Sequence, residues 1–449
     1  MKPETYYVRT FGCQMNERDS ERIAALLEAM GYIPGDERAD VVIVNTCSVR
    51  EKPEHKVYSE LGRYGGLKRR RPGMILAVAG CVAQQEGETL LKRIPHLDLV
   101  MGARAIARLP QLISAAKNGE RIVATEMNGG HAAGLFGAER PAPRSPTAFV
   151  VAMTGCSSRC TYCVVPNVRG PAVSRPKNEI IEEVASLAAA GVKEVTLLGQ
   201  NVNAYGLDFR NDAVCCATIK DKNDAPDFAE LLELVSAVPG IERVRFTTSH
   251  PKDLSDRLIR VMAENQKVCK YLHLPIQAGA DRVLERMGRG YTRAQYLDLA
   301  RRLREAVPEI ALSSDFIVGF PGESDEEFRD TLDVIEQVRY HQIYSFCYSE
   351  RPNTSAPRDE AVEPQAKLER LHVLQAKQDQ ITREIMEAYV GGAQTILIEG
   401  ASKTDRTRST GRTQCNLPVH VGGIIEPGTL ITVRITRALK HSLEGEHVK

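Results

Sequence analysis

The stretch Ala148-Phe149-Val150-Val151-Ala152-Met153-Thr154-Gly155-Cys156-Ser157-Ser158-Arg159-Cys160-Thr161-Tyr162-Cys163 sets an apolar run directly before a C-x3-C-x2-C run. The apolar half reads as a buried strand. Pro166, three residues beyond Cys163, makes a regular helix hard to continue. The cysteines are therefore expected on a loop at a strand's carboxyl end. Four thiolates would saturate a cubane iron–sulfur cluster, whereas three leave one iron open to a reactive ligand. Spacings of i, i+4 and i+7 also share a helix face, and buried cysteine packs as a small hydrophobe. Gly155, Ser157, Ser158 and Arg159 make a poor core helix, however. Structural zinc wants four closed ligands, and the nearest histidines, His131 and His250, are distant in sequence.

Toward the N-terminus, strands and helices alternate as in a doubly wound parallel sheet. Strands are expected at Tyr6–Thr10, Val41–Val44, Met74–Ala79 and Leu97–Met101, and Asp19 is expected to cap a helix running to about Met30. Cys13, Cys47 and Cys81 each follow one of the first three strands within a few residues. Strand carboxyl ends share one edge of such a sheet, and ligands bind there. These three should converge as a second trio, unless they are independent buried cysteines. Asn16 and Asn45 flank the loops, either on cluster sulfurs or as turn formers.

After a linker rich in Gly, Ala and Pro, strands are expected to begin near Phe149, Glu194, Arg243, Tyr271, Ala311 and Gln342. Helices are expected at 178–190, 228–238, 293–306 and 325–339. Six strand–helix units imply a partial parallel (β/α)6 barrel with its chemistry at the strand carboxyl ends. Polar residues gather there in Leu197–Asn203, Thr247–Pro251, His273–Gln277 and Ser314–Glu323. Glycine lets backbone approach a ligand closely, and hydroxyls or amides can grip its polar groups. His250 and His273 read as structural histidines. The absence of any Gly-Lys dipeptide excludes a Walker A loop.

From Gly392, short β-rich runs at Gln394–Ile398 and Leu430–Ile435 are separated by Gly and Pro turns and imply a small β-barrel. Residues 391–449 carry eight Lys/Arg against five Asp/Glu, a net of 8 − 5 = +3. Charge alone leaves RNA binding and a solvated face level. Helix 367–389 connects this module to the barrel. The polar segment 207–226, with Cys215 and Cys216, reads as a surface insertion, and Cys269, Cys347 and Cys415 as packing or surface residues.

The chain has 449 residues, 59 Lys+Arg against 58 Asp+Glu, and 11 cysteines. Balanced charge argues for no partner by itself. No window approaches the ~18 apolar residues of a membrane span. Thiols without a signal-like N-terminus suit a cytoplasmic metal-binding protein better than a secreted disulfide scaffold.

The C-x3-C-x2-C spacing with Tyr162 resembles the radical S-adenosylmethionine superfamily. Thr10–Asn16, Asn45–Arg50 and Gly80–Gln84 resemble the N-terminal domain of the methylthiotransferases, in the branch acting on isopentenylated adenine of tRNA. The Glu399-Gly400 … Gly411-Arg412-Thr413 pattern resembles the TRAM domain. The resemblance spans nearly the whole chain. It implies a methylthiotransferase N-terminal domain at 4–120, a linker at 121–147, a radical S-adenosylmethionine core at 142–378 and a TRAM domain at 382–447.

It also implies two [4Fe–4S] clusters, on Cys156, Cys160 and Cys163 and on Cys13, Cys47 and Cys81. S-adenosylmethionine would be held by a pocket of Tyr162, Gly199, Gln200, Asn201, Ser249, Gln277, Asp315, Gly319 and Glu323. Gly199 and Gln200 would lie by the methionyl amine, and Gly319–Glu323 by the adenine. The tRNA would meet Arg169, Lys403, Arg408, Arg412 and Arg437, with Arg50, Arg69, Arg70 and Arg71 extending the basic surface. The implied reaction adds a methylthio group at C2 of N6-isopentenyladenosine beside the anticodon. A flavodoxin or ferredoxin would supply electrons to a monomer, and no pattern identifies the sulfur donor. Siblings acting on threonylcarbamoyladenosine or on a ribosomal-protein aspartate fit less well, because Gln14-Met15-Asn16 follows Cys13. An RNA-binding electron carrier would need no cofactor pocket.

Overall fold

The computed structural model describes residues 3–48, 51–127, 132–137, 139–143, 145–210, 226–358 and 360–448. Arg50, His131, Cys215 and Cys216 lie outside the described residues.

The N-terminal sheet comprises β1 (Thr5–Phe11), β2 (Ile33–Pro34), β3 (Val41–Thr46), β4 (Ile75–Gly80), β5 (Leu99–Met101) and β6 (Ile122–Ala124), all parallel, in the order β2-β1-β3-β4-β5-β6. Successive side chains alternate faces. Ile43 and Ala77 therefore pack with Ile23 and Leu27 of helix Gln14–Ala29 on one face. Val42, Val44, Leu76 and Val78 pack with Leu61 and Tyr64 of helix Glu51–Arg70 on the other. Both faces are covered, which is why β3 reads as an unbroken apolar run. Each such side chain contributes about 1.5–3 kcal/mol. Asp19 does not cap its helix: the helix starts directly behind Cys13, so Asp19 lies inside it, where its carboxylate meets Arg169.

The central unit contains β7 (Thr147–Val151), the antiparallel pair β8 (Met153–Thr154) and β9 (Val173–Ser174), then β10 (Glu194–Leu198), β11 (Arg243–Thr247), β12 (Tyr271–His273), β13 (Ala311–Val318) and β14 (Gln342–Cys347). Two parallel three-stranded sheets, β7-β10-β11 and β12-β13-β14, are joined where Cys269 N donates to Val244 O at 2.9 Å. The result is the expected six-stranded partial barrel. Capping boxes at Thr292 and Ser324 start two of its helices, Arg293–Ala306 and Asp325–Val338. Pro166 does not prevent a helix: a single turn, Val165–Arg169, accepts it in its first turn, where the missing N–H costs nothing.

Helix Pro364–Glu387 leads to β15 (Ala393–Ala401), β16 (Arg408–Thr413), β17 (Pro418–Gly422), β18 (Leu430–Ala438) and β19 (Leu443–His447). These close into a barrel in the order β15-β16-β17-β19-β18. Two buried arginines seat it on the central unit: Arg243 donates to Arg412 O at 2.6 Å and Thr395 O at 2.8 Å, and Arg245 to Thr413 O at 2.6 Å. Among the described residues no helix is long and apolar enough to cross a membrane.

Candidate functional site

The register of the first sheet fixes one cysteine trio. Phe11 pairs with Thr46, and Thr46 with Gly80. Cys47 and Cys81 follow their strands immediately, and Cys13 follows after Gly12, so all three stand along one edge. At the two glycines no side chain fits. A Cβ on Gly12 (φ +151) would lie 2.6 Å from Cys47 Cβ, and one on Gly80 (φ +91) would lie 2.4 Å from Asn45 Oδ1. Asn16 and Asn45 brace the loops against each other: Asn16 Nδ2 donates to Thr46 O at 3.1 Å, and Asn45 Nδ2 to Asn16 O at 2.9 Å. Asn16 Oδ1 also accepts from Cys13 Sγ at 3.4 Å.

Cys13 is exposed, whereas Cys47 and Cys81 are buried. A hydrogen bond from Cys47, the Arg169 charge and the first amides of the helix pull the Cys13 thiol down to about 6. Burial pushes the Cys81 thiol up. The trio thus offers one readily formed thiolate at the rim and two sheltered sulfurs beneath it.

The second trio lies on an irregular loop after β8. Gly155 (φ +77) lets the chain pass Pro171, whose carbonyl oxygen a Cβ would meet at 2.0 Å. Cys156 N donates to Gly170 O at 3.0 Å, and Thr161 N to Met287 O at 3.0 Å. Burial, with Cys160 and Cys156 nearby, pushes the Cys163 thiol up to about 12. Among the described residues no three His, Cys, Asp or Glu side chains close on one point as ligands of a single ion would. A cubane needs no such closure, because each thiolate takes a different iron.

Around this loop stand the barrel's strand ends. A Cβ on Gly199 would lie 2.6 Å from Met153 Cγ, so glycine keeps the backbone close. Gln200 Oε1 accepts from Gly155 N at 2.5 Å, which ties its side chain to the cysteine loop. Asn201 Nδ2 donates to Asp253, but its Oδ1 and the Ser249 Oγ are buried without a partner among the described residues. Unmet buried polar atoms are costly and call for a partner, a water or a ligand. Thr248 (φ 68) and Gln277 (φ 84) hold left-handed backbone at the ends of β11 and β12. Such strain costs about 1–3 kcal/mol and collects at functional sites. Asp315 meets His273 Nε2 at 3.4 Å. Gly319 (φ 67) is the left-handed residue of a tight turn, and its N–H donates to Glu323 Oε2 at 2.6 Å. Arg370 binds the same oxygen at 2.8 Å, which leaves only Glu323 Oε1 unmet. Three strand ends with unpaired polar atoms and close backbone suit a nucleoside-bearing cofactor with an amino-acid end.

Arg289, which the sequence reading passed over, reaches the loop from Gly288-Arg289-Gly290. Its Nη1 lies 3.3 Å from Cys160 Sγ and 3.3 Å from the Tyr162 hydroxyl. The flanking glycines at φ +69 and +73 are the sequence signal that could have marked it. Burial, with Arg289 and Lys252 nearby, pushes the His250 imidazole down to about 2. Unfolded, that ring takes a proton near pH 6.5. The stability held by the neutral ring is complete above pH 6.5 and is lost as pH falls from there toward 2. His250→Asn is expected to flatten that limb of a urea-unfolding stability curve, and an unchanged slope would refute the assignment.

Among the basic residues expected to meet RNA, Arg169 is not on the surface. It is 5 % exposed, with Nη2 at 2.6 Å from Asp19 and Nε at 3.4 Å from Cys81 Sγ. The turn after Cys163 points it inward, against the first trio. Arg408 pairs with Glu444 at 2.6 Å and Arg412 with Glu399 at 2.9 Å, so both charges are partly matched. Lys403 and Arg437 stay exposed. Desolvation lifts the Glu17 carboxyl, and the Lys403 charge opposes the lift.

Comparison with known proteins adds three family matches: the radical SAM superfamily over residues 150–335, uncharacterized protein family UPF0004 over 5–102, and the TRAM domain over 387–448. The chain is 48% identical over 444 residues to the tRNA-2-methylthio-N(6)-dimethylallyladenosine synthase of Geobacter metallireducens, covering 98% of this chain and 97% of that one. It is 47% identical to the protein of the same name from Geotalea uraniireducens, covering 98% of each. In fold it is similar to the radical S-adenosylmethionine methyltransferase TsrM from Kitasatospora setae, with TM-score 0.56 and 15% identity over 88% of this chain and 80% of that one.

Proposed function

We infer the function from one premise: the chain belongs to the tRNA-2-methylthio-N(6)-dimethylallyladenosine synthase family, whose members it matches end to end. It is a radical S-adenosylmethionine methylthiotransferase that adds a methylthio group to C2 of N6-isopentenyladenosine beside the tRNA anticodon. The observation that carries this reading is the pairing of two three-cysteine sites at strand carboxyl ends, linked by Arg169.

In this reading Cys156, Cys160 and Cys163 hold one [4Fe–4S] cluster and Cys13, Cys47 and Cys81 hold another. The first would supply the electron for cleavage of bound S-adenosylmethionine, and the second would carry the sulfur to be transferred. The chain's own residues orient and shield. Gln200 fixes Gly155 and with it the cysteine loop. Asn201 Oδ1 and Ser249 Oγ are free to accept or donate toward the cofactor, with Tyr162, Gln277, Asp315 and the Gly319–Glu323 turn completing its pocket. Gly199 admits the ligand close to backbone. A flipped adenine would be met at the exposed rim beside Cys13. Lys403 and Arg437 grip phosphate, with Arg408 and Arg412 behind them. A flavodoxin or ferredoxin donor, a cytoplasmic setting and a monomeric enzyme belong to the same reading.

The test is nucleoside mass analysis. Anaerobically reconstituted protein given isopentenylated tRNA, dithionite and S-adenosylmethionine should yield 2-methylthio-N6-isopentenyladenosine. If only unmodified isopentenyladenosine is recovered while 5′-deoxyadenosine accumulates, the substrate assignment is wrong.

A further inference from the structure

Among the described residues, a buried arginine donates to one sulfur of each cysteine trio, at Cys81 and at Cys160, and these two arginines differ in charge balance. Arg169 donates to Cys81 Sγ at 3.4 Å and is neutralised by Asp19 at 2.6 Å. Arg289, 4 % exposed, donates to Cys160 Sγ at 3.3 Å. Its other donors meet the Tyr162 hydroxyl at 3.3 Å, the Tyr291 hydroxyl at 2.8 Å and Pro275 O at 2.6 Å. Among the described residues no carboxylate forms an ion pair with Arg289, and the adjacent His250 ring stays neutral. One sulfur thus faces an unmatched cation, and the other faces an ion pair.

A cluster's reduction potential follows local charge and hydrogen bonds to its sulfurs. In a poorly polarisable interior an unmatched cation acts far more strongly than a neutralised one. We propose that this asymmetry sets the order of reduction: Arg289 draws the incoming electron to the Cys156/Cys160/Cys163 cluster, while the Asp19–Arg169 pair leaves the Cys13/Cys47/Cys81 cluster oxidised. The inference rests on the two-cluster reading above. One electron from an external one-electron donor takes the first cluster from its 2+ to its 1+ state. The second stays 2+, so the electron is kept for the cofactor rather than spent on the sulfur-bearing site. Asp19, Arg169 and Arg289 are positioning residues in this scheme.

The experiment is a dithionite titration of full-length reconstituted protein followed by electron paramagnetic resonance. The signal that responds to added S-adenosylmethionine identifies the core cluster. Asp19→Asn unmasks Arg169 and should raise the midpoint of the other cluster by at least a tenfold change in its reduction constant, 59 mV for one electron. The core midpoint should stay in place. Arg289→Gln should lower the core midpoint by at least as much, and Arg289→Lys, which keeps the charge, should hold it near the wild-type value. If Asp19→Asn fails to load both clusters, the double variant D19N/R169M decides. Removing a balanced pair should move the midpoint by less than tenfold, and a larger fall would show that Arg169 acts as a bare charge. Unshifted midpoints in Asp19→Asn and Arg289→Gln, in protein holding about eight irons, overturn the proposal alone. Wild-type protein that holds only about four irons overturns the two-cluster reading, and the proposal with it.

Discussion

Cys160→Ala protein, purified and reconstituted without oxygen, is expected to hold about four irons instead of about eight. Its release of 5′-deoxyadenosine should fall at least about a thousandfold, some 4 kcal/mol of barrier. The reason is local. Cys160 Sγ accepts from Arg289 Nη1, which also donates to the Tyr162 hydroxyl, and its loop is pinned by backbone bonds to Met287 and Gly170. Among the described residues the cysteines outside the two trios are Cys269, Cys347 and Cys415, and none belongs to this loop. Cys269 lies behind β12, and Cys415 donates to Glu309 O at the far barrel. Iron content and chromatography of the quenched reaction check the prediction. Turnover near the wild-type level would remove Cys160 from the site.

Glu183→Gln should have the largest effect on stability. Glu183 is 7 % exposed and serves three arginines. Arg175 binds it directly, Arg140 approaches to 2.5 Å, and Arg18 of the N-terminal domain to 3.5 Å. The cluster joins the helix behind Cys13, the linker and the central barrel. Neutralising the shared anion leaves Arg175 with only the more exposed Glu179, and Arg18 and Arg140 with only the more exposed Glu21, which costs up to about 3–5 kcal/mol. Urea unfolding should show that loss in the first transition. A change below about 1 kcal/mol would mean that water reaches these arginines and that the seam is weaker than its geometry implies.

Much of the fold was legible because its signals are local. The starts of β10 to β14 fall at the expected residues, since each opens a short run rich in β-branched, aromatic or aliphatic residues. The strands β2 and β6 were missed because two or three residues at a sheet edge carry no period. The cysteines' positions were legible as well: alternation of strand and helix places the residue after each parallel strand on a common edge. The electrostatics were not legible. Arg169 looks like any surface arginine until the chain brings it, across 150 residues, to Asp19. Arg408 gains its partner from 36 residues away. Asp is a common cap, but at Asp19 the helix is already under way from its N-cap at Cys13. Charge is visible in sequence, whereas its partner is a product of the fold.

Two open cubanes in one chain are the claim from which the chemistry follows. Mössbauer spectroscopy with iron and sulfide analysis of wild-type protein kept from oxygen tests it most directly. The account predicts about eight irons, all in [4Fe–4S] form, falling to about four when Cys13, Cys47 and Cys81 are replaced together. Wild-type protein that saturates at one cluster, or that binds zinc at Cys13, Cys47 and Cys81, would contradict it.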